Sequence, residues 1–509
     1  MRSIILPLLL GACTFASAQK KSNPATFAGS ITADDMQKHL YTIASKEMEG
    51  RDTPSPGLEK AASYIENKFR SLGLTPGNGE SYRQYYPIYR DSMTSTYLKV
   101  NGKSFDLSID FQPNININHT FAYRFSEVVF AGYGIVDSTT DVYKDLDVKG
   151  KLVLLLEGAP AGYKAGTGMN SPANSFSKIN RAREHGAAAV MFVFANYPRK
   201  TLAGAAGNTT IHGYAESVYP QTFTVSQNVA ASIMGSDGKN VLETMKTSPL
   251  SAKIYKADID LGYFTRTIID SASNVIAVME GTDKKDEYLL LTSHYDHVGK
   301  RADGAIFYGA DDDGSGTTGI LELAEAFSKA KAAGKGPRRT IVFMTVSGEE
   351  KGLWGSEYYA NHPLFPLEKT SADLNIDMIG RIGVDFQKDK DSSNYVYIIG
   401  DDKLSTDLTP ITETVNKKYM KMNLDRKYND PKDQNRFYYR SDHYNFAEKG
   451  VPVIFYFNGV HADYHQVTDT PDKINYKLMA KRGQLVFYTA WEIANRDQML
   501  KRDLKLEKP

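Results

Sequence analysis

Two rhythms of apolar positions alternate through the second half of the chain. Nearly continuous apolar runs, Val275–Met279, Tyr288–Thr292, Thr340–Val346, Leu374–Met378, Tyr395–Ile399 and Val451–Phe457, have the length and character of buried strands. Between them, the stretches after Ser315 and after Leu353, then Leu404–Tyr419 and finally Lys477–Arg496, repeat their apolar positions at helical spacing. Such alternation predicts an α/β fold with a mostly parallel central sheet and helices on both faces.

The first half reads differently. Thr32 with Asp35 three residues on marks a helix start, with Met36, Leu40 and Ile43 on one face. A second helix is predicted from Pro56 to Gly73, burying Ala61, Ala62, Ile65 and Phe69. Residues 80–120 alternate polar and apolar positions and predict short strands. From Glu127 to Gly134 and from Val148 to Leu156 come two strands, then a helix over Ser177–His185 and a strand over Gly186–Phe194, enough for a small separate core. The Gly-, Ala- and Thr-rich stretch Asn196–Gly213 reads as a solvated loop.

At 509 residues there is room for two or three domains, and the composition is that of a globular protein. A formal net charge of +1 with dispersed charges favours neither nucleic acid nor an anionic membrane as partner. Residues 1–18 read as an export signal: Arg2, an apolar run from Ile4, and Ala16-Ser17-Ala18 as the cleavage site. That run is too short to span a bilayer. The single cysteine, Cys13, lies inside it, and Leu10-Gly11-Ala12-Cys13 is the competing signal, for a lipid anchor. Cleavage after Ala18 leaves a periplasmic or extracellular protein with no thiol. Any metal must then be held by histidine and carboxylate.

Acids and histidines gather where the predicted strands of the second half end. His294 and Asp296 follow the Tyr288 strand, and Glu349-Glu350 follow the Thr340 strand. Asp377 ends the Leu374 strand, and His465 lies just past the last strand. The carboxyl ends of strands in open α/β sheets are where ligands collect. Between the first strand and its helix lies Gly309-Ala310-Asp311-Asp312-Asp313-Gly314-Ser315-Gly316, an acidic turn that helix capping explains only in part.

These motifs resemble those of the secreted co-catalytic zinc peptidases of the aminopeptidase Y and glutamate carboxypeptidase type. In that family a His-x-Asp, a Gly-x-x-Asp-x-x-Ser-Gly turn, a Glu-Glu pair, an Asp and a final His occur in this order. The likeness covers about residues 270–500. It implies a three-layer α/β/α peptidase domain and two zinc ions. His294 and Asp377 would serve one ion, Glu350 and His465 the other, with Asp312 bridging and followed by a cis peptide. Asp296 would orient the His294 imidazole. Glu349, the remaining acid, would act as general base on a water shared by cations roughly 3.5 to 4 Å apart. Tyr464 is the candidate donor to the oxyanion. His297 and His461 match no ligand place and are assigned structural or rim roles. Phe437, Tyr438, Tyr439 and Tyr444 are candidates to wall a side-chain pocket beside Arg440-Ser441-Asp442-His443.

A second resemblance, to the protease-associated domain, rests on Ala131-Gly132-Tyr133-Gly134, Val148-Lys149-Gly150-Lys151 and Gly186-Ala187-Ala188-Ala189-Val190. The expected organisation is a peptidase domain over 19–120 and 269–509 with the insert over 121–268. The expected activity is removal of N-terminal residues from peptides. A carboxypeptidase, gripping a terminal carboxylate through Arg440 and Arg436, is the alternative within the fold. A non-catalytic receptor on the same scaffold is the alternative outside enzymes, and intact ligand positions count against it. They count equally against a relative that cyclises N-terminal glutamine.

Overall fold

The computed structural model describes residues 23–164, 166, 171–199, 206–214, 217–247, 250–387 and 393–506. The expected signal over 1–18, Cys13 included, lies outside the described residues. The chain divides into two units, one from the described residues up to Tyr86 together with those from Ala272 on, the other Pro87–Ser271.

The first unit opens with helices α1 (Ala33–Ile43) and α2 (Pro56–Ser71). Thr32 caps α1 reciprocally: its Oγ1 accepts from the Asp35 amide at 3.1 Å and donates to the Asp35 carboxylate at 2.8 Å. Ser55 accepts from the Leu58 amide, and Pro56 takes the first helical position, where its missing N–H costs nothing. Two long strands, β1 (Arg83–Val100) and β2 (Lys253–Met279), contain the points where the chain leaves this unit and returns.

The sheet of this unit comes from β3 (Lys284–His294), β4 (Arg339–Val346), β5 (Thr370–Ile376), β6 (Tyr395–Ile399) and β7 (Val453–Phe457). β3 lies between β4 and β5, and β7 follows β5, all parallel. The edges are mixed: β6 pairs antiparallel with β7, and Val275–Met279 of β2 antiparallel with β4. The expected mostly parallel, mixed sheet is therefore present. Helices α3 (Gly314–Ala332), α4 (Trp354–Asn361), α5 (Leu408–Val415), α6 (His443–Glu448) and α7 (Tyr476–Asn495) cover it. Pleating sends alternate residues to opposite faces. Leu290, Val342 and Met344 join Tyr359 of α4 and Phe446 of α6 in one core. On the other side Phe343 meets Phe69 of α2 and Phe327 of α3, and Phe327 meets Phe487 of α7.

In the second unit Phe121–Phe130, Leu152–Leu156, Ala189–Val193 and Gln221–Val225 form a parallel sheet. Val128, Leu154 and Met191 bury on one side, and Val129, Val153 and Val190 with Ile179 of the helix Ser175–Glu184 on the other. This unit starts at Pro87, earlier than the position 121 expected for an insert.

Two local expectations fail. The short strands expected over 80–120 are led by one strand of 18 residues, β1, which continues until Asn101-Gly102 turns it into Lys103–Phe105. Both turn residues have positive φ, as a two-residue hairpin requires. Within the expected loop Asn196–Gly213, Ala206–Thr210 is a strand paired with β1, Thr210 opposite Tyr89. Its two threonines, Thr209 and Thr210, suit a strand, but the partner lies far away in sequence.

Candidate metal centre

Parallel strands of one sheet end at one rim, and the loops leaving β3, β4, β5 and β7 converge there. His294 is the last residue of β3, opposite Val346 of β4. Its Nε2 stands 3.3 Å from Asp312 Oδ1, 3.7 Å from Asp377 Oδ1 and 3.9 Å from Glu349 Oε2. His465 Nε2 stands 3.0 Å from both Asp312 Oδ2 and Glu350 Oε2. All five expected ligands and the expected base are thus brought together, with Asp312 facing both imidazoles.

The three consecutive aspartates are sorted by their hydrogen bonds. Asp311 accepts from the Gly380 amide (2.6 Å) and Asn458 Nδ2 (3.0 Å), and His461 Nε2 lies 3.0 Å from it. Asp313 accepts from the amides of Gly316 (2.8 Å), Met378 (3.0 Å) and His294 (3.3 Å). A Cβ on Gly316 would stand 2.3 Å from the Asp313 carboxylate, so glycine is required there. Asp312 faces both His294 and His465 with its carboxylate. The Asp312-Asp313 peptide is cis, as the resemblance implied.

Around this set a further layer fixes orientation. Ser441 Oγ donates to Asp377 Oδ2 (2.7 Å) and accepts from Asn375 Nδ2 (2.9 Å). His294 Nδ1 lies 3.2 Å from the Asp296 carbonyl oxygen and 3.6 Å from its carboxylate. That carboxylate also accepts from the Glu349 amide (3.2 Å), tying the first histidine to the glutamate pair. His461, bonded to Asp311, has the structural role expected of it. His297 does not stay at a rim: it is buried, with Nδ1 2.8 Å from Glu350 Oε1 and 3.8 Å from Asp312 Oδ2. Its place, three residues past His294 in Ser293-His294-Tyr295-Asp296-His297, was the available signal.

The site's electrostatics fit a cation. His294 Nε2, His297 Nδ1, Asp312 Oδ2 and Glu350 Oε1 are buried and make no hydrogen bond of acceptable geometry. Polar atoms so placed are costly unless something satisfies them. Burial pushes Glu349 well above the usual carboxylate range, reinforced by Glu350 and Asp377. Burial alone would lower the His294 pKa, but Glu349, Asp296, Asp312 and Asp377 hold it well above the imidazole range. A nitrogen and oxygen donor set of this kind suits zinc.

A cleft opens on this chemistry. Asp312, Glu349 and Asp377 line it together with Met378, Phe437, Phe455, Phe457, Val460, Arg440 and Tyr464. Tyr464 stacks on His465 with ring centres 4.0 Å apart, and Arg440 Nη2 lies 3.5 Å from its hydroxyl. Of the aromatics proposed to wall a pocket, Phe437 lines the cleft. Tyr438, Tyr439 and Tyr444 instead pack on one another, with centroids 5.0 to 5.8 Å apart. Arg436 lies over the Tyr439 ring and does not line the cleft.

Comparison with known proteins agrees with this geometry. Residues 274–490 match peptidase family M28. The chain is 28% identical over 292 residues to leupeptin-inactivating enzyme 1 of Streptomyces exfoliatus, covering 52% of this chain and 59% of that one. It is 30% identical over 151 residues to a probable glutamate carboxypeptidase of Arabidopsis thaliana, covering 28% and 21%. The chain thus spans between about a fifth and about three fifths of the length of these relatives. Its fold is similar to that of an aminopeptidase from Aneurinibacillus sp. strain AM-1, with a TM-score of 0.52, 19% identity and coverage of 96% and 100%. The likeness to peptidase family M28 is thus carried by residues 274–490, the stretch that holds His294, Asp312, Glu350, Asp377 and His465.

Proposed function

We propose that this chain is an exported zinc-dependent exopeptidase that hydrolyses N-terminal peptide bonds. The observation that carries the proposal is the convergence of His294, Asp312, Glu350, Asp377 and His465 on unpaired buried atoms, with one further acid, Glu349, beside them. These five residues would hold two zinc ions, which when bound supply Lewis acidity toward the scissile carbonyl and a lower pKa for water. The chain supplies the rest. Glu349, half-buried and facing the cleft, takes the proton of the attacking water and passes it to the leaving amine. Burial holds Tyr464 protonated, so its hydroxyl can donate to the oxyanion. Ser441 keeps Asp377 from rotating, and Asp296 holds both the His294 ring and the Glu349 backbone. The apolar wall of Met378, Phe437, Phe455 and Phe457 gives a hydrophobic substrate side chain its place. The export signal over residues 1–18 supports a periplasmic or extracellular location. We read residues 121–268, within the unit Pro87–Ser271, as a protease-associated domain on the three motifs that carry that resemblance, and the three candidate metal clusters among the described residues all fall outside it.

Arg440, lining the cleft, favours one second reading, a carboxypeptidase in which it binds the substrate's terminal carboxylate. Chromogenic aminoacyl substrates and N-blocked peptides with a free carboxylate separate the two, each assayed before and after chelation. Chelator-sensitive turnover of the aminoacyl substrates alone is expected. Turnover of the blocked peptides alone would install the second reading, and turnover unaffected by chelation would remove both.

A further inference from the structure

A single short segment before α2 touches two of the loops that build the metal centre, those leaving β3 and β4. Gly299 N donates to Gly50 O at 2.9 Å and His297 N to Arg51 O at 3.1 Å, laying the segment along the stretch that follows His294. Gly50 has a φ of +74°, and a Cβ there would stand 2.2 Å from the Gly299 carbonyl oxygen, so only glycine permits this approach. Thr53 Oγ1 accepts from the Gly348 amide at 3.1 Å, and Asp52 pairs with Lys351 at 2.6 Å, on either side of Glu349-Glu350.

Arg51 is wholly buried at the middle of this segment. Its Nε donates to the Tyr295 carbonyl (2.7 Å), Nη1 to those of Ile43 (2.8 Å) and Tyr308 (2.8 Å), and Nη2 to that of Gly309 (2.9 Å). A buried guanidinium ordinarily pairs with a carboxylate. Here its hydrogen bonds go to main-chain oxygens, and three of those belong to residues that neighbour ligands. Tyr295 directly follows His294, and Tyr308 and Gly309 lead into Asp312. The planar, rigid fork therefore spans the gap between the two chain segments that present His294 and Asp312.

Resting on the metallopeptidase reading above, we propose that Arg51 is a positioning residue of the metal centre. Its guanidinium sets the separation of the His294 turn and the Asp312 loop, so that their ligand atoms face each other before a cation arrives. Pre-organisation of this kind lowers the ordering cost of binding and appears as affinity. Lysine keeps the charge but presents its donors from one point, and it cannot span the same carbonyls.

The test uses the full-length chain and the variants R51K and R51Q, stripped of metal. Zinc affinity is measured by competition with a chromophoric chelator, the cobalt-substituted protein gives a visible spectrum, and melting of the metal-free form reports the fold. In folded R51K, zinc affinity is expected to drop by about tenfold to about a hundredfold, with an altered cobalt spectrum. Unchanged affinity and spectrum, whatever the melting temperature, would overturn the proposal. Wild-type protein that binds neither zinc nor cobalt would remove the metallopeptidase reading itself. Should the variants not fold, hydrogen exchange of the metal-free wild-type chain decides. Protected amides at His297 and Gly299 are expected, and protection appearing only once zinc is added would assign the ordering to the cation.

Discussion

Asp311, Asp312 and Asp313 are chemically identical and adjacent, yet each takes a different role. Main-chain amides and His461 occupy the first and last, which leaves the middle carboxylate for His294 and His465. The motif's spacing pointed to Asp312, and the hydrogen bonds supply the physical reason. Glu349 and Glu350 are separated in the same way: His297 and His465 engage Glu350, while Glu349 lines the cleft. Glu349→Gln is therefore expected to keep its metal content and to lose about 10²- to 10⁴-fold in kcat. Metal analysis beside steady-state kinetics checks this, and full turnover in a metal-replete variant would remove Glu349 as the base. Tyr464→Phe deletes only the hydroxyl while the ring remains to stack on His465. A fall of about 10- to 10³-fold in kcat with little change in KM is expected if that hydroxyl meets the oxyanion. A rise in KM alone would make it a binding group.

Helices α1, α2 and α3 meet around a buried polar pair that no motif announced. His39 Nδ1 lies 2.7 Å from the Tyr64 hydroxyl, and its Nε2 lies 3.5 Å from Glu322 Oε1. Burial, with the charges of Glu325 and Asp35, raises the Glu322 pKa to about 8, and burial with Lys68 lowers that of His39 to about 4. The raised Glu322 pKa contributes stability that is complete below the ordinary carboxylate value and lost as pH rises through about 8. The lowered His39 pKa works in the opposite sense between about 4 and the ordinary imidazole value of 6.5, where stability rises with pH. Above 6.5 the glutamate is the one member of this pair that still titrates. Its contribution to the unfolding free energy is expected to fall by about 2 kcal/mol from pH 6.5 to 8, and Glu322→Gln is expected to remove that part of the slope. Urea titrations at the two pH values decide it, and equal slopes in both proteins would show that Glu322 ionises normally. Elements bounded by local start signals were legible in the sequence, as Thr32 and Pro56 demonstrate. Those defined by a distant partner, such as Ala206–Thr210 against β1, were not.

At the scale of the molecule, the candidate cation sites among the described residues fall in one of two units. All three clusters of histidine and acidic residues able to hold a cation, among the described residues, lie in the unit that contains the family match. No helix among the described residues is long and apolar enough to cross a membrane. The unit Pro87–Ser271 has hydrophobic cores of its own. Calorimetry is accordingly expected to resolve two transitions, of which zinc raises one. At a free concentration about 100 times Kd the gain is about 2.7 kcal/mol. A single transition, or an equal shift of both, would show that the units unfold together.

Local patterns in the sequence were sufficient for the strand and helix alternation, the helix caps and the acids and histidines at strand ends, because each depends on residues near one another in the chain. The same patterns gave the order of the candidate ligands along the polypeptide. Tertiary structure alone decided that His297 turns inward to Glu350, that Tyr438, Tyr439 and Tyr444 pack together away from the cleft, and that Arg51 spans the carbonyls beside His294 and Asp312. Arg51 bonds to main-chain oxygens of residues more than two hundred positions away. Main-chain carbonyls are the same in every residue, so no side-chain pattern could have marked those partners.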